Sequence, residues 1–397
     1  MTRRFPFPES PDVWPPDEYR ELLAQPGLPE VLLSNGHRAL LVTRYADVKA
    51  VLSDDRFSRA AFGGTPMFAR TTESLALATS DPPVHTRRRA AVTSAFSARK
   101  ARQLMPRLRE LADQLIDGIG EPPVDLVESF TVPFALRAST ELLGIPAADE
   151  PRLRPLVDAM MSTTRFTRDH VTAAHREAAA YFDELVATKQ AHIAAGRPRP
   201  DLLTELLTAE RLSHKEIAVF GAGLLMAGYE TTSNQLAMCA LMVFGDPDRA
   251  DRLRLEPAGV EPAVEEMLRW SSLIATGGAP HVATEDARLG DTVVRAGQVV
   301  VPLTAAANRD ATVFAEPECL RPDRADNPHV AFGHGRHHCL GAELARVELR
   351  VGLRALLDRF HELTVDAPVS EIPWRSGMFI RGPAVLPVSW TGACDEA

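Results

Sequence analysis

The sequence predicts a mainly α protein with a smaller β part, an α+β fold in a single domain over residues 1–397. Three observations carry this. Apolar residues recur at three- and four-residue spacing through most of the stretch from Tyr45 to Ala275, the period of helices with one buried face. Ser213-His214-Lys215-Glu216 is a capping box ahead of a 31-residue segment, His214–Phe244, that is apolar on nearly every side, as expected of a helix crossing a core. After Pro280 the pattern turns to β-branched runs broken by glycine turns, which reads as a small sheet.

In chain order, Glu30–Leu33 and Arg38–Thr43 flank Ser34-Asn35-Gly36-His37, and Asn-Gly favours a tight hairpin turn, so the chain is expected to open with a hairpin. Helices are predicted over segments such as 99–119, 174–195 and 261–270, punctuated by prolines at 122, 123, 146, 151, 198 and 200. The long helix at 1.5 Å per residue would span roughly 46 Å. Within it, Ala227-Gly228-Tyr229-Glu230-Thr231-Thr232 predicts a local opening, because threonine hydroxyls compete for backbone carbonyls. Strands are expected over Val282–Leu289, Thr292–Arg295 and Val299–Val301, then a helix after Cys339, then strand and turn over Trp374–Trp390. The β-rich parts thus lie near 30–43, 281–303 and 374–390.

Hydrophobic residues make up 45% and charged residues 24% of the chain, and the net charge is −9. That composition excludes a disordered or collagenous chain, and the acidic balance argues against nucleic acid as a partner. Four widely spaced cysteines form no Cys-x-x-Cys pair, and the N-terminus runs into prolines instead of an apolar stretch. A cytoplasmic protein is expected, with neither a disulfide framework nor a secretory leader. The longest uncharged run, Ala218 to Gly228, is about half the roughly 20 residues a membrane span needs, so no membrane is expected.

Three segments carry chemistry. Glu230 is an acid in an apolar helix, which is costly unless it is partnered or handles protons. The alternative there is a kinked core helix with satisfied threonines. Ile217–Gly223 also resembles the strand-then-glycine start of a dinucleotide-binding turn, although Met226 replaces its third glycine. Glu266-x-x-Arg269 places opposite charges on one helix face, and Arg324 could close a three-member network with them. The third segment is Phe332-Gly333-His334-Gly335-Arg336-His337-His338-Cys339-Leu340-Gly341. Its glycines permit close approach to a flat ligand, and Cys339 precedes a helix N-terminus that favours a thiolate. An anionic sulfur so held suits axial ligation of a haem iron that activates O2. A zinc site from His334, His337, His338 and Cys339 is the competing reading, and ligands crowded into six residues fit it poorly.

On these residues the chain resembles the cytochrome P-450 family of haem-thiolate monooxygenases in its soluble bacterial, actinobacterial-type form. The pattern Phe-x-x-Gly-x-His-x-Cys-x-Gly at 332–341 is highly specific. Ala-Gly-x-Glu-Thr-Thr at 227–232 and Glu-x-x-Arg at 266–269 occur in the family's order and near its spacings. The likeness runs from the opening hairpin to the end of the chain, including Asp81–Arg89 and Ala307-Asn308-Arg309-Asp310. It implies the cytochrome P-450 fold, with the long central helix over haem b (iron protoporphyrin IX) and Cys339 on the metal. It also implies contacts to the cofactor from His85, Arg89, His337, Phe332 and Gly341. A further propionate arginine is usual at the start of the first strand after the Glu-x-x-Arg helix, where this chain has His281.

The same resemblance implies that Thr231 and Glu230 guide oxygen and protons in catalysis, and that Glu266, Arg269 and Arg324 are structural. Gly223, Met226, Ala227, Thr276, Gly277 and Phe379, with the 60–78 segment, are implied to line the pocket for a hydrophobic small molecule. Hydroxylation or epoxidation with O2 is the implied reaction, tailoring a polyketide, terpenoid or peptide natural product. The alternatives are a catabolic or xenobiotic hydroxylase, a peroxide-driven oxygenase, and a non-catalytic partner protein. Since no flavin or iron–sulfur segment accompanies the motifs, electrons are expected from an external ferredoxin and an NAD(P)H-dependent reductase, acting on a monomer. Eight basic residues and no acid between Arg87 and Arg109 predict a positive docking face on the Cys339 side, joined by Arg336 and Arg346.

Overall fold

The computed structural model describes residues 3–8, 10, 13–62 and 77–391. The helix His214–Phe244 runs through its centre, and its capping box is complete: Ser213 Oγ accepts from the Glu216 N–H while the Glu216 carboxylate accepts from the Ser213 N–H. All residues from Thr232 to Phe244 are buried, which explains why no polar face is visible in the sequence. Helices Val132–Leu143, Arg168–Ala194 and Ala342–Arg359 pack around it. Helix Ala98–Asp117 lies against Ala342–Arg359, and its apolar stripe of Ala101, Leu108, Leu111, Ala112 and Ile116 faces the shared core.

The main sheet has six strands, in the order Arg3–Phe5, Glu30–Leu33, Arg38–Val42, Val299–Pro302, His281–Ala283 and Phe57–Ser58. The Asn35-Gly36 hairpin forms as expected, with Gly36 at φ 85°, but it does not open the structure. Arg3–Phe5 pairs parallel to Glu30–Leu33, and helix Glu18–Ala24 lies between them in sequence. The expected strand Val282–Leu289 divides in two. His281–Ala283 stays in the main sheet, and Ala287–Leu289 forms a two-stranded hairpin with Thr292–Val294. Only Pro387–Ser389 of the expected 374–390 region is a strand, in a three-stranded sheet with Thr364–Val365 and Val124–Asp125. The rest of that region makes isolated bridges, Ser162 to Met378, Ile274 to Ile380 and Trp374 to Pro383. These bridges bring residues from three parts of the chain to one rim.

The 217–223 segment lies inside the long helix, so the strand a dinucleotide-binding turn needs is absent there. The expected opening at 227–232 is also absent, and the helix runs through it unbroken. Packing explains the glycine. A Cβ at Gly228 would stand 2.9 Å from Ser139 Oγ, so this residue lets the neighbouring helix Val132–Leu143 come close instead of bending its own.

Candidate active site

The second half of the long helix is enclosed, but its middle is not: Gly223, Met226 and Thr231 are only partly buried, and Ala227 is exposed. Steps of three and four residues put them on one side. Nothing lies within 4 Å of where a Cβ of Gly223 or of Gly341 would stand. Phe332, Leu340, Leu344 and Phe379 likewise pack on the core while keeping part of their surface open. Apolar side chains half-open inside a molecule mark a hollow shaped for an apolar occupant.

Thr231 and Glu230 face different surroundings, as adjacent helix residues must. The Thr231 hydroxyl donates to the Ala227 carbonyl, within the hollow. Glu230 has no exposure and points the other way, where Arg375 Nη1 donates to it at 2.6 Å, Arg375 Nη2 at 3.1 Å and Asn234 Nδ2 at 3.1 Å. Burial pushes its pKa well above the usual carboxylate range, with the neighbouring Asp158 adding to the rise and Arg375 opposing it. One turn of chemistry further, Thr232 donates to Glu348 at 3.2 Å, a carboxyl that burial raises to about 8. Neither Glu348 nor Arg375 was singled out by sequence. Both lie in segments whose pattern is ordinary, and only the fold carries them to the central helix.

Around Cys339 the loop is fixed by backbone geometry. The Cys339 N–H donates to the Phe332 carbonyl at 2.8 Å, closing the loop onto itself. Gly335 has φ 66°, and a Cβ there would meet the Leu52 carbonyl oxygen at 2.4 Å, so the loop needs a glycine to sit on helix Tyr45–Ser53. Cys339 is exposed as a residue, although neighbours crowd its thiol. Burial raises its thiol, while the Gly341 N–H, Arg89 and Arg346 pull it down, the environment in which a metal cation would complete deprotonation. Among the described residues no three of His, Cys, Asp and Glu gather into a metal site, which leaves the zinc reading without a ligand set.

The surroundings fit a haem. Its two propionates are carboxylates, and they need donors with no acid of their own. The His85 and His337 rings lie against each other at a tilt of 54° with centroids 4.3 Å apart, and each has a buried Nε2 with no partner. Arg89 is half-buried and touches no carboxylate among the described residues, the Cys339 sulfur being the negative group that acts on it. His281 differs. Its Nδ1 is 2.9 Å from the Ala279 carbonyl, an acceptor, and its Nε2 takes the Nε–H of Arg59 at 3.1 Å, so both ring nitrogens are already occupied by protein.

Glu266, Arg269 and Arg324 form a closed network. Arg269 donates in bidentate fashion to Glu266 at 2.8 and 2.8 Å, and Arg324 Nε lies 3.1 Å from the same carboxylate. The Arg321 N–H and Asn327 Nδ2 add two further donors. Arg269 spends its other donors on the carbonyls of Asn308, Pro317 and Cys319. Helix Val260–Trp270 is thereby tied to the 308–327 segment that leads into the cysteine loop.

At the pocket rim, the Ala275 N–H donates to the Phe379 carbonyl and the Phe379 N–H to that of Met161, which places Phe379 beside Ala275 and Thr276. Met161 was not anticipated, because it belongs to the 150–160 helix terminus rather than to any motif. Gly277 is a correction: at φ 72°, its missing Cβ would strike Leu303 at 2.3 Å and Tyr19 at 2.9 Å. It is set by a turn against the sheet, not by room for a substrate. Of the 60–78 segment, residues 63–76 lie outside the described residues.

The basic stretch is a second correction. Acids from elsewhere in the chain neutralise most of it. Arg87 and Arg88 pair with Glu216, Lys100 with Glu205, Arg107 with Glu141 and Arg109 with Asp358. Arg336 pairs with Asp55 and Arg346 with Glu265. Arg99 and Arg102 remain exposed and free of ion pairs among the described residues.

Comparison with known proteins agrees with this arrangement. The Cytochrome P450 family model matches residues 151–384. Nocardicin C N-oxygenase of Nocardia uniformis subsp. tsuyamanensis is 40% identical over 98% of this chain and 99% of its own. Mycinamicin IV hydroxylase/epoxidase of Micromonospora griseorubida is 38% identical, covering 98% of each. Among solved structures, that of HinD with NMFT and NO aligns with a TM-score of 0.92 at 41% identity, over 98% of this chain and 100% of that one. The fold and the cysteine loop define a haem-thiolate oxygenase, and the chain belongs to the cytochrome P450 family. It is an oxidoreductase that uses haem iron and O2 as a monooxygenase. No helix among the described residues is long and apolar enough to cross a membrane.

Proposed function

We propose that this monooxygenase tailors a natural product, placing a hydroxyl or epoxide oxygen on a sizeable, largely apolar molecule of polyketide, terpenoid or peptide origin. The observation that carries the reading is the half-open apolar face of the central helix at Gly223, Met226, Ala227 and Thr231, together with Phe379 and Thr276 at the rim. The names of the relatives, an N-oxygenase for nocardicin C and a hydroxylase/epoxidase for mycinamicin IV, support the substrate class. Bound haem, with Cys339 on its iron, supplies the activation of O2 that inserts one oxygen atom. The chain's own residues do the rest. Cys339 would ligate the metal, and Phe332 and Gly341 would lie against the macrocycle. His85, Arg89 and His337 would hold the propionates. Thr231, whose single O–H is given to the Ala227 carbonyl, would offer its hydroxyl oxygen as an acceptor at the oxygen site, and Glu230 would store a proton behind it. Arg375 keeps that carboxyl away from the hydroxyl, so proton delivery requires Glu230 to leave Arg375 or to pass the proton through water.

Electrons come from an external ferredoxin served by an NAD(P)H-dependent reductase. Exposed Arg99 and Arg102, with the exposed apolar Met105 between the next turns, are a compact site for an acidic partner. The enzyme works as a cytoplasmic, single-domain monomer. The test is to titrate the purified protein with macrolide, peptide and terpene scaffolds, follow the spectral change on binding, and incubate the binders with a ferredoxin system under 18O2. One labelled oxygen in a macrolide, peptide or large terpenoid product is the expected result. Binding and turnover confined to small catabolic terpenes would overturn the tailoring reading.

A further inference from the structure

The register of the main sheet places a cation beside the position where this chain has His281 in place of the arginine usual in the family. Phe57–Ser58 runs antiparallel to His281–Ala283, with Phe57 opposite Ala283 and Ser58 opposite Val282. One step further along this register sets Arg59 beside His281, and the two side chains meet: Arg59 Nε donates to His281 Nε2 at 3.1 Å. The His281 ring is itself locked, because its Nδ1 faces the Ala279 carbonyl at 2.9 Å and must carry the proton to bond there. A ring used in this way is neutral and has no N–H left to offer a ligand.

The guanidinium beside it is otherwise little used. Arg59 Nη1 reaches the Ala78 carbonyl at 3.3 Å, and Nη2 is bonded to none of the described residues. The nearest acid, Asp81, is occupied by the Ser58 hydroxyl and by the N–H groups of Arg59 and Ala60, not by the guanidinium. His85 comes close through the same residue, its N–H donating to the Asp81 carbonyl at 2.9 Å, and the adjacent His85 and His337 rings leave buried Nε2 atoms unpartnered, which marks a place for carboxylates. A half-buried cation bonded to no acid, next to two unpartnered imidazole nitrogens, is an anion site.

We propose that Arg59, positioned by His281, is a propionate-binding residue, and that His281 acts only through it. The proposal rests on the haem reading above and assigns it a residue. Sequence motifs conceal it, because Arg59 is distant from every haem signature and arrives by strand pairing alone.

The test uses the purified holoenzyme and its Arg59→Ala, Arg59→Lys and His281→Ala variants, with an Arg59→Ala/His281→Arg double variant. Haem transfer to excess apomyoglobin and the propionate bending bands in resonance Raman spectra are measured for each. Loss of a charge-assisted contact predicts transfer about tenfold faster for Arg59→Ala, less for Arg59→Lys and His281→Ala, and rescue by His281→Arg. The propionate bands should shift in Arg59→Ala and return in the double variant. Should Arg59→Ala fold poorly, the bands of Arg59→Lys carry the same prediction. Faster transfer with unmoved propionate bands would make Arg59 a brace for the Ala78 carbonyl and overturn the proposal. So would a wild-type rate in Arg59→Ala with a fast one in His281→Ala. A wild-type protein that takes up no haem would instead defeat the family reading first, and this proposal with it.

Discussion

Thr231 presents its hydroxyl to the hollow while Glu230, its neighbour, is turned into an ionic cluster with Arg375 and Asn234. Replacing Thr231 by alanine removes the hydroxyl at the oxygen site while changing the pocket wall by little more than one oxygen atom. Substrate binding should persist while most consumed NAD(P)H yields hydrogen peroxide. Unchanged coupling of NAD(P)H to product would contradict the role given to the hydroxyl. Glu348 makes a separate prediction. Its pKa in the folded protein is about 8 against an ordinary 4.5, through burial. Between those values the folded chain keeps a proton that the unfolded chain releases, so this group lowers stability as pH rises from about 4.5 to about 8. Glu348→Gln should therefore flatten the fall in stability over that window and cost little at pH 7, or gain on the order of 1–3 kcal/mol. Urea unfolding at several pH values would show it. A variant with the same pH slope as the parent would place the proton elsewhere.

At the level of elements, the cysteine loop depends on parts remote in sequence. Gly335 rests on the carbonyl of Leu52, and the Glu266–Arg269–Arg324 network ties the Val260–Trp270 helix to the segment before the loop. Both carboxylate and guanidinium of the Glu266–Arg269 pair are fully buried. Removing one partner strands the other charge, at a cost of about 3–5 kcal/mol. Glu266→Ala should accordingly yield little haem-loaded folded protein, with the deficit in recovery rather than in turnover per loaded molecule. Normal haem content after purification would refute the structural role. The long helix was legible to the residue, because a capping box and a Gly-Asp-Pro stop bound one apolar run. Its expected opening was not real, since Gly228 answers to Ser139 on another helix, a contact no local pattern records. The split of 282–289 was missed for a similar reason. Residues 281–283 follow the main sheet and 287–289 pair only with their own hairpin.

Over the whole molecule, local motifs located the buried ion pair and pointed to the proposed metal ligand and oxygen-side threonine, because each is a spacing within a few residues. What they could not show is compensation between distant segments. The acid-free stretch from Arg87 to Arg109 reads as a positive face only until Glu216, Glu205, Glu141 and Asp358 are folded onto it. Arg59 and Arg375 carry the converse lesson, as ordinary residues that the fold delivers to the site. The thinner docking face that remains makes a sharper prediction. Arg102→Glu should slow reduction by ferredoxin about three- to tenfold at low ionic strength, with the difference shrinking as salt is raised. Lys100→Glu should matter less, since Lys100 is already paired with Glu205. Stopped-flow reduction rates decide between them, and equal rates for both variants at all salt concentrations would move the docking site.

The central claim is that Cys339 presents a thiolate to haem iron on this fold. Its most direct test is the absorption spectrum of the dithionite-reduced, carbon monoxide-bound protein, recorded for the wild type and for Cys339→Ser. The account predicts the strongly red-shifted Soret band of thiolate ligation in the wild type and its loss in the variant. A wild-type band at the position of imidazole-ligated haem, or the same red-shifted band in Cys339→Ser, would contradict it.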